Sequence, residues 1–172
     1  ICLHNEIYNL LFKNYPCILR YLSQYCFYIF RYGELLMAID VSIIIVNFNT
    51  RTLIENCLNS IFRETKNINF EVIVSDNGSI DGSVEMIKKD FPQVFLIENN
   101  QNLGFGAANN KGLIHAKGKY VFFLNSDTVL LNNAVKIFSD FWNLHSEKKI
   151  GALGSVLLDR NLSIIHSGGS FP

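Results

Sequence analysis

Apolar residues along the chain follow two alternating periods. Residues 41–46 form a β-branched run, as in a strand buried on both faces. Residues 52–62 then turn helical: Leu53, Ile54, Cys57, Leu58, Ile61 and Phe62 make one apolar stripe, with Thr50 or Asn49 placed to cap it. The pattern repeats. Residues 70–74 predict a second strand, and residues 83–89 a short helix that stops at Phe91-Pro92, because the residue before a proline avoids helical angles. Residues 94–97 predict a third strand. Residues 105–116 predict a helix with Ala107, Ala108 and Leu113 as its contacts and Gly118 as its end. Residues 120–124 predict a fourth strand, and residues 133–145 a helix with Val135, Phe138 and Trp142 on one face. Residues 150–156 read as a fifth strand, and the apolar pairs flanking Asp159-Arg160-Asn161 as a hairpin. Strand starts near 41, 70, 94, 120 and 150 have the spacing of βαβ units. The fold class is therefore α/β, with a mostly parallel central sheet flanked by helices.

In such sheets ligands bind beyond the carboxyl ends of the strands. Every loop at that edge is rich in Asn, Asp, Ser and Gly: Asn47-Phe48-Asn49 after the first strand, residues 75–83 after the second, 98–106 after the third and 125–128 after the fourth. Turns and helix caps alone account for Ser79, Asp81 and Ser83. Asp76 ends a buried strand, where a carboxylate needs partners. It suits the imide N–H of a pyrimidine or a ribose hydroxyl, or it simply closes the Asp76-Asn77-Gly78 turn. Asp127 repeats that placement. It is suited to a divalent cation bridging two phosphates, or to capping the next helix. Gly104 and Gly106 let backbone pass close to a ligand or a neighbouring loop. Asn109 and Asn110 either tie that loop together or reach the ligand. The G-F-G-A-A-N order lacks a third glycine and follows the wrong strand for a dinucleotide fingerprint, which disfavours a dehydrogenase.

Composition narrows the picture. The 172 residues fit one domain, and 49% hydrophobic with 17% charged residues excludes extended disorder. Fifteen basic and fifteen acidic residues cancel, which removes nucleic acid as an expected partner. The four cysteines include no C-x-x-C pair, so neither a zinc site nor a disulfide framework is expected. Residues 1–36 differ from the rest, with nine of the 22 aromatics and only one of the eleven glycines. Gly33-Glu34 must be encoded by purine-rich codons just upstream of the Met37 codon, which resembles a bacterial ribosome-binding site read through as protein. On that reading residues 1–36 are a leader foreign to the domain, which starts at Met37. The alternative is an amphipathic helix with Tyr21, Tyr25 and Tyr28 on one face, which docks or touches a membrane surface.

The stretches VSIIIVNFNT, VIVSDNGSIDGS, NQNLGFGAANNKG and YVFFLNSDT, in this order and spacing, resemble family 2 glycosyltransferases of the GT-A fold, in particular the rhamnosyltransferase-like enzymes of surface polysaccharide assembly. The resemblance covers about residues 40–170. It implies a Rossmann-like sheet, a UDP- or dTDP-linked sugar donor, and an acceptor hydroxyl on a glycan or lipid-linked molecule. It implies a donor-binding set of Asn47, Asn49, Asp76, Asn102, Gly104, Gly106, Asn125, Ser126 and Asp127. Asn125-Ser126-Asp127 is then the counterpart of the family's D-x-D motif, with Asp127 on Mg²⁺ or Mn²⁺ and an amide at the first acidic position. It further implies an inverting reaction with a carboxylate as general base. The family places that carboxylate downstream of the hairpin, hence beyond Pro172; Glu98, Asp140 and Asp159 match no motif for it. His166 reads as a structural residue at a strand end or as a phosphate contact. Nucleotide sugars imply a cytoplasmic location, with the inner membrane face as the meeting place for a lipid-linked acceptor. Two other classes compete. A nucleotidyltransferase would want a basic, glycine-rich loop after the first strand, where only Arg51 stands nearby. A truncated, non-catalytic nucleotide-binding module is the alternative that the expected absence of a base leaves open.

Overall fold

The computed structural model describes residues 29–31, 39–148, 150–159 and 161–165, the first three by backbone alone. Met37, the tyrosine-bearing stretch at 21–28, most of the leader and His166 lie outside the described residues. One five-stranded sheet runs in the order β1 (Ile29–Arg31), β5 (Tyr120–Asn125), β2 (Val41–Asn47), β3 (Phe70–Asp76), β4 (Phe95–Glu98). The four strands β5, β2, β3 and β4 are parallel, and β1 runs antiparallel to β5. β2 lies at the centre with helices on both sides. That explains its apolar run without alternation: Val41, Ile43, Ile44 and Ile45 are all fully buried.

Side chains of successive strand residues point to opposite faces. Val41, Ile43, Ile45, Val72, Val74, Tyr120, Phe122 and Leu124 face the larger core, which α1 (Arg51–Glu64), α2 (Ser83–Asp90) and α4 (Ala134–Leu144) complete. Ile44, Ile73, Val121 and Phe123 face the other side, where α3 (Phe105–His115) packs with Leu113 and with Ala116, the residue that caps it. The turn around Asp159 joins β6 (Leu157–Leu158) to an antiparallel β7 (Ile164–Ile165), the expected hairpin. Its Oδ1 accepts the amides of Asn161 and Ser163.

Several local expectations change. Residues 150–156 form no strand: Gly151 and Gly154 weaken one, and Ile150 and Leu153 reach the core from irregular backbone. Leu53, in the first turn of α1, is exposed and lines a cavity rather than the core. Ala107 is exposed too. The small residue that brings α3 close to the sheet is Gly112, where a Cβ would lie 2.5 Å from Ile44 Cγ2. Gly118 does not end α3. The cap is Ala116 in extended conformation, and Gly118 is small because a Cβ there would meet the Ser42 amide nitrogen at 2.4 Å.

Register then sets the stage for binding. Asn47 is level with Asp76, Asp76 with Glu98, and Val46 with Asn125. The four polar loops therefore leave the sheet along one straight edge.

Candidate functional site

Asp76 is 1% exposed at the end of β3. Its Oδ1 accepts the backbone amides of Gly78 (3.0 Å) and Ser79 (2.7 Å). Its Oδ2 accepts Asn47 Nδ2 (2.7 Å) and the Ser79 hydroxyl (2.7 Å). A carboxylate offers about four acceptor directions, and all four are filled within the protein. The expected contact with a base imide would have to displace one of these bonds.

Asn47 is equally committed. Its amide donates to Asp76 and to Ser79 Oγ (3.0 Å), and its Oδ1 accepts the Thr50 hydroxyl (2.6 Å). Thr50 occupies the N-cap position of α1, yet its hydroxyl bonds no helix amide. It meets the Ser126 hydroxyl instead, at 3.1 Å, and so ties the β2 loop to the β5 loop. Asp81 takes over the capping: its carboxylate accepts the Arg51 amide (2.8 Å) and the Ser83 amide (3.0 Å), serving the starts of α1 and α2 together. Burial pulls Asp81 upward, but the Ser83 hydroxyl and the amides of Arg51 and Ser83 outweigh it and hold the carboxyl below its ordinary value. Asn49 has a left-handed backbone (φ 53°), its amide bonds Ser79 Oγ (2.9 Å), and its Oδ1 accepts the Ile80 amide (2.9 Å). Phe48, between these two clamped asparagines, is 44% exposed.

A row of amides links the next loops. Asn99 Nδ2 donates to Ser75 Oγ (2.9 Å) and Asn77 Oδ1 (3.1 Å), while Asn77 Nδ2 approaches Asn102 Oδ1 (3.3 Å) and the Gly104 carbonyl (3.4 Å). Asn102 Oδ1 also accepts the Gly104 amide (2.8 Å). Gly78 (φ 82°) lets this row close up, since a Cβ there would lie 2.9 Å from the Gln101 nitrogen. Gly104 (φ 81°) needs to be glycine for its backbone, and neither it nor Gly106 has a protein atom within 4 Å of a would-be Cβ. The backbone of Gly104 meets the β3 loop through Asn77, while the side on which a Cβ would stand is open at both glycines. Asn109 Nδ2 bonds back to the Phe105 carbonyl (3.2 Å) within its own helix, so it does not tie the loop.

Asn125 closes β5 and accepts the Thr128 amide at its carbonyl (3.2 Å). Asp127 follows in a turn and caps nothing; the next helix is preceded by Asn133. It is exposed, and among the described residues no hydrogen bond or ion pair engages its carboxylate. Beneath it lies buried Cys57, whose thiol contacts the Asn125 carbonyl at 3.6 Å. Burial and, secondarily, the Asp127 charge push that thiol far up, so it stays protonated. No group of three or more His, Cys, Asp or Glu converges among the described residues. A single free carboxylate fits a hard divalent ion that takes its other ligands from phosphates and water. Asn125 and Asp127 line a cavity of about 750 Å³ whose other walls include Leu53, Phe138, Leu157 and Leu162.

Sequence reasoning missed Phe48, Asn77, Asn99 and Thr50, and it left Ser79 as a plain turn residue. An aromatic flanked by two asparagines at a strand end was the available signal for Phe48. Nothing in the sequence marks Ser79 as the residue three others meet.

Comparison with known proteins points to the same fold. The chain is 34% identical over 90 residues to the putative glycosyltransferase EpsH of Bacillus subtilis, covering 51% of this chain and 26% of that protein. It is 33% identical over 119 residues to the UDP-Glc:alpha-D-GlcNAc-diphosphoundecaprenol beta-1,3-glucosyltransferase WfaP of Escherichia coli, covering 63% of this chain and 47% of that protein. Among solved structures, S. aureus TarS in complex with UDP-GlcNAc superimposes with a TM-score of 0.56 at 26% identity, over 63% of this chain and 32% of TarS. The chain thus spans less than half the length of each, and its fold is GT-A. The profile of Glycosyl transferase family 2 matches residues 42–147, and the chain belongs to that family.

Proposed function

We propose that this chain binds the nucleoside-diphosphate-sugar donor of an inverting glycosyltransferase, whose sugar passes to a hydroxyl of a glycan or lipid-linked acceptor in surface polysaccharide biosynthesis. The observation that carries the reading is the contrast at the carboxyl edge: among the described residues Asn47, Asp76 and Ser79 are bonded to one another, whereas Phe48 and Asp127 are exposed and the Gly104–Gly106 turn has open space beside it. Phe48 offers a flat apolar face on which a uracil or thymine ring can stack. Gly104 and Gly106 allow the donor to approach α3 at its N-terminus, where free amides favour phosphate. Asp127, with Asn125 beside it, would hold Mg²⁺ or Mn²⁺ on the diphosphate. When bound, that ion neutralises the charge of the departing diphosphate. The cavity that Asp127 lines is the side from which an acceptor would enter.

Similarity supports the choice of donor and acceptor. TarS is known in complexes with UDP and with UDP-GlcNAc. WfaP is named for a UDP-linked sugar and a diphosphoundecaprenol acceptor. dTDP-linked sugars stay among the donors, since thymine offers Phe48 the same flat ring as uracil. Among the described residues, the three carboxylates that match no motif for the general base are engaged elsewhere. Glu98 is paired with Lys88 (2.7 Å), Asp140 with Lys136 (2.7 Å), and Asp159 holds its own turn.

Calorimetric titration with UDP and dTDP, in Mn²⁺ and then in EDTA, tests the reading. Mn²⁺ should tighten UDP binding about tenfold or more, and Asp127→Ala should remove that gain while leaving thermal unfolding within about 0.5 kcal/mol of the parent. Metal-independent binding, equal in both proteins, would refute the role of Asp127. No binding of either nucleotide by the folded chain would refute the donor site.

A further inference from the structure

We infer that Ser79 is a positioning residue for the nucleotide, acting through Phe48. This rests on the donor reading above and adds to it the device that holds the base platform in place. The Ser79 hydroxyl has one proton and two lone pairs, and the fold uses all three. It donates to Asp76 Oδ2 (2.7 Å) and accepts Asn47 Nδ2 (3.0 Å) and the Asn49 backbone amide (2.9 Å). Its own backbone amide donates to Asp76 Oδ1 (2.7 Å). One side chain of the β3 loop therefore grips the β2 loop on both sides of Phe48.

The grip matters because the Phe48 loop has an unfavourable backbone. Asn49 stands at φ 53°, a conformation that L-residues seldom adopt, and Phe48 is exposed rather than packed into the core. Without external anchors such a loop would sample several conformations, and an exposed ring would have to be ordered by the ligand at the ligand's cost in affinity. Ser79, together with the Asn49 Oδ1 bond to the Ile80 amide, orders it beforehand. Asp76 belongs to the same clamp. With its four acceptor directions filled, it orients Ser79 and Asn47 rather than the base.

A double-mutant cycle on UDP affinity tests this, with the full chain in Mn²⁺. Ser79→Ala should weaken UDP binding about fivefold, and Ser79→Thr, which restores a hydroxyl, should recover most of it. In a Phe48→Leu background, which lacks the ring but keeps an apolar side chain, Ser79→Ala should have little further effect, because the two residues act as one unit. Asn49→Gly, which accepts the same backbone angle but loses the Ile80 anchor, should weaken binding in the same direction and serves if Ser79→Ala fails to fold. Equal losses from Ser79→Ala with and without the Phe48 ring, or no loss while the parent binds UDP, would overturn the assignment. Failure of the parent itself to bind UDP would overturn the donor reading and this inference with it.

Discussion

Asp76 ends β3 and Asp127 lies in the turn just past the end of β5, and their surroundings give them opposite work. Asp76 is enclosed and accepts four hydrogen bonds. Asp127 is exposed and accepts none among the described residues. A buried carboxylate with satisfied lone pairs organises its loop, whereas an exposed one without partners is available to a cation. Asp81, assigned by sequence to turns and caps, does cap, but it serves two helices. Its charged form is favoured by the fold, so its contribution is complete above its unfolded value near 3.8 and is lost as pH falls through its lower folded value. Asp81→Asn should accordingly flatten the acid side of the stability curve below about pH 4, as read by urea unfolding across pH. A parent and variant with parallel acid limbs would contradict that. The sequence placed Asp76 at a strand end correctly and Asp127 two residues beyond one, but could not count their partners. The partners of Asp76 include Asn47, 29 positions away in the chain.

At the level of elements, periodicity located the four helices and the four parallel strands among the described residues, because each turns apolar residues toward the core, although β4 does so only with the half-buried Leu96 and Ile97. It failed where spacing alone carried the argument. Residues 150–156 sat at the right interval for another strand but hold two glycines and have no strand partner. It failed also at α3, where the near-neighbours Ala107 and Ala108 look alike in sequence and face opposite environments. The missed residue there is testable. Gly112→Ala places a methyl 2.5 Å from Ile44 Cγ2 and should cost about 1–3 kcal/mol as α3 is pushed off the sheet. Gly106→Ala in the same helix meets no protein atom and should be neutral or slightly stabilising to folding by about 0.5 kcal/mol. Thermal unfolding of both variants decides it, and equal losses would show that close packing is not what keeps Gly112 small.

Over the whole molecule, a parallel sheet brings four separate loops to one edge, and hydrogen bonds then join them: Thr50 to Ser126, Asn47 and Asn49 to Ser79, Asn77 to Asn102. No helix among the described residues is long and apolar enough to cross a membrane. The chain spans 26% of EpsH and 47% of WfaP. The central claim is that these loops form one nucleotide-diphosphate site. Hydrogen exchange read by mass spectrometry, on the chain with and without UDP and Mn²⁺, tests it most directly. The account predicts slowed exchange confined to residues 47–51, 76–83, 102–106 and 125–128. Unchanged exchange in those four segments, or protection centred on the opposite edge at residues 39–41 and 117–119, would contradict it.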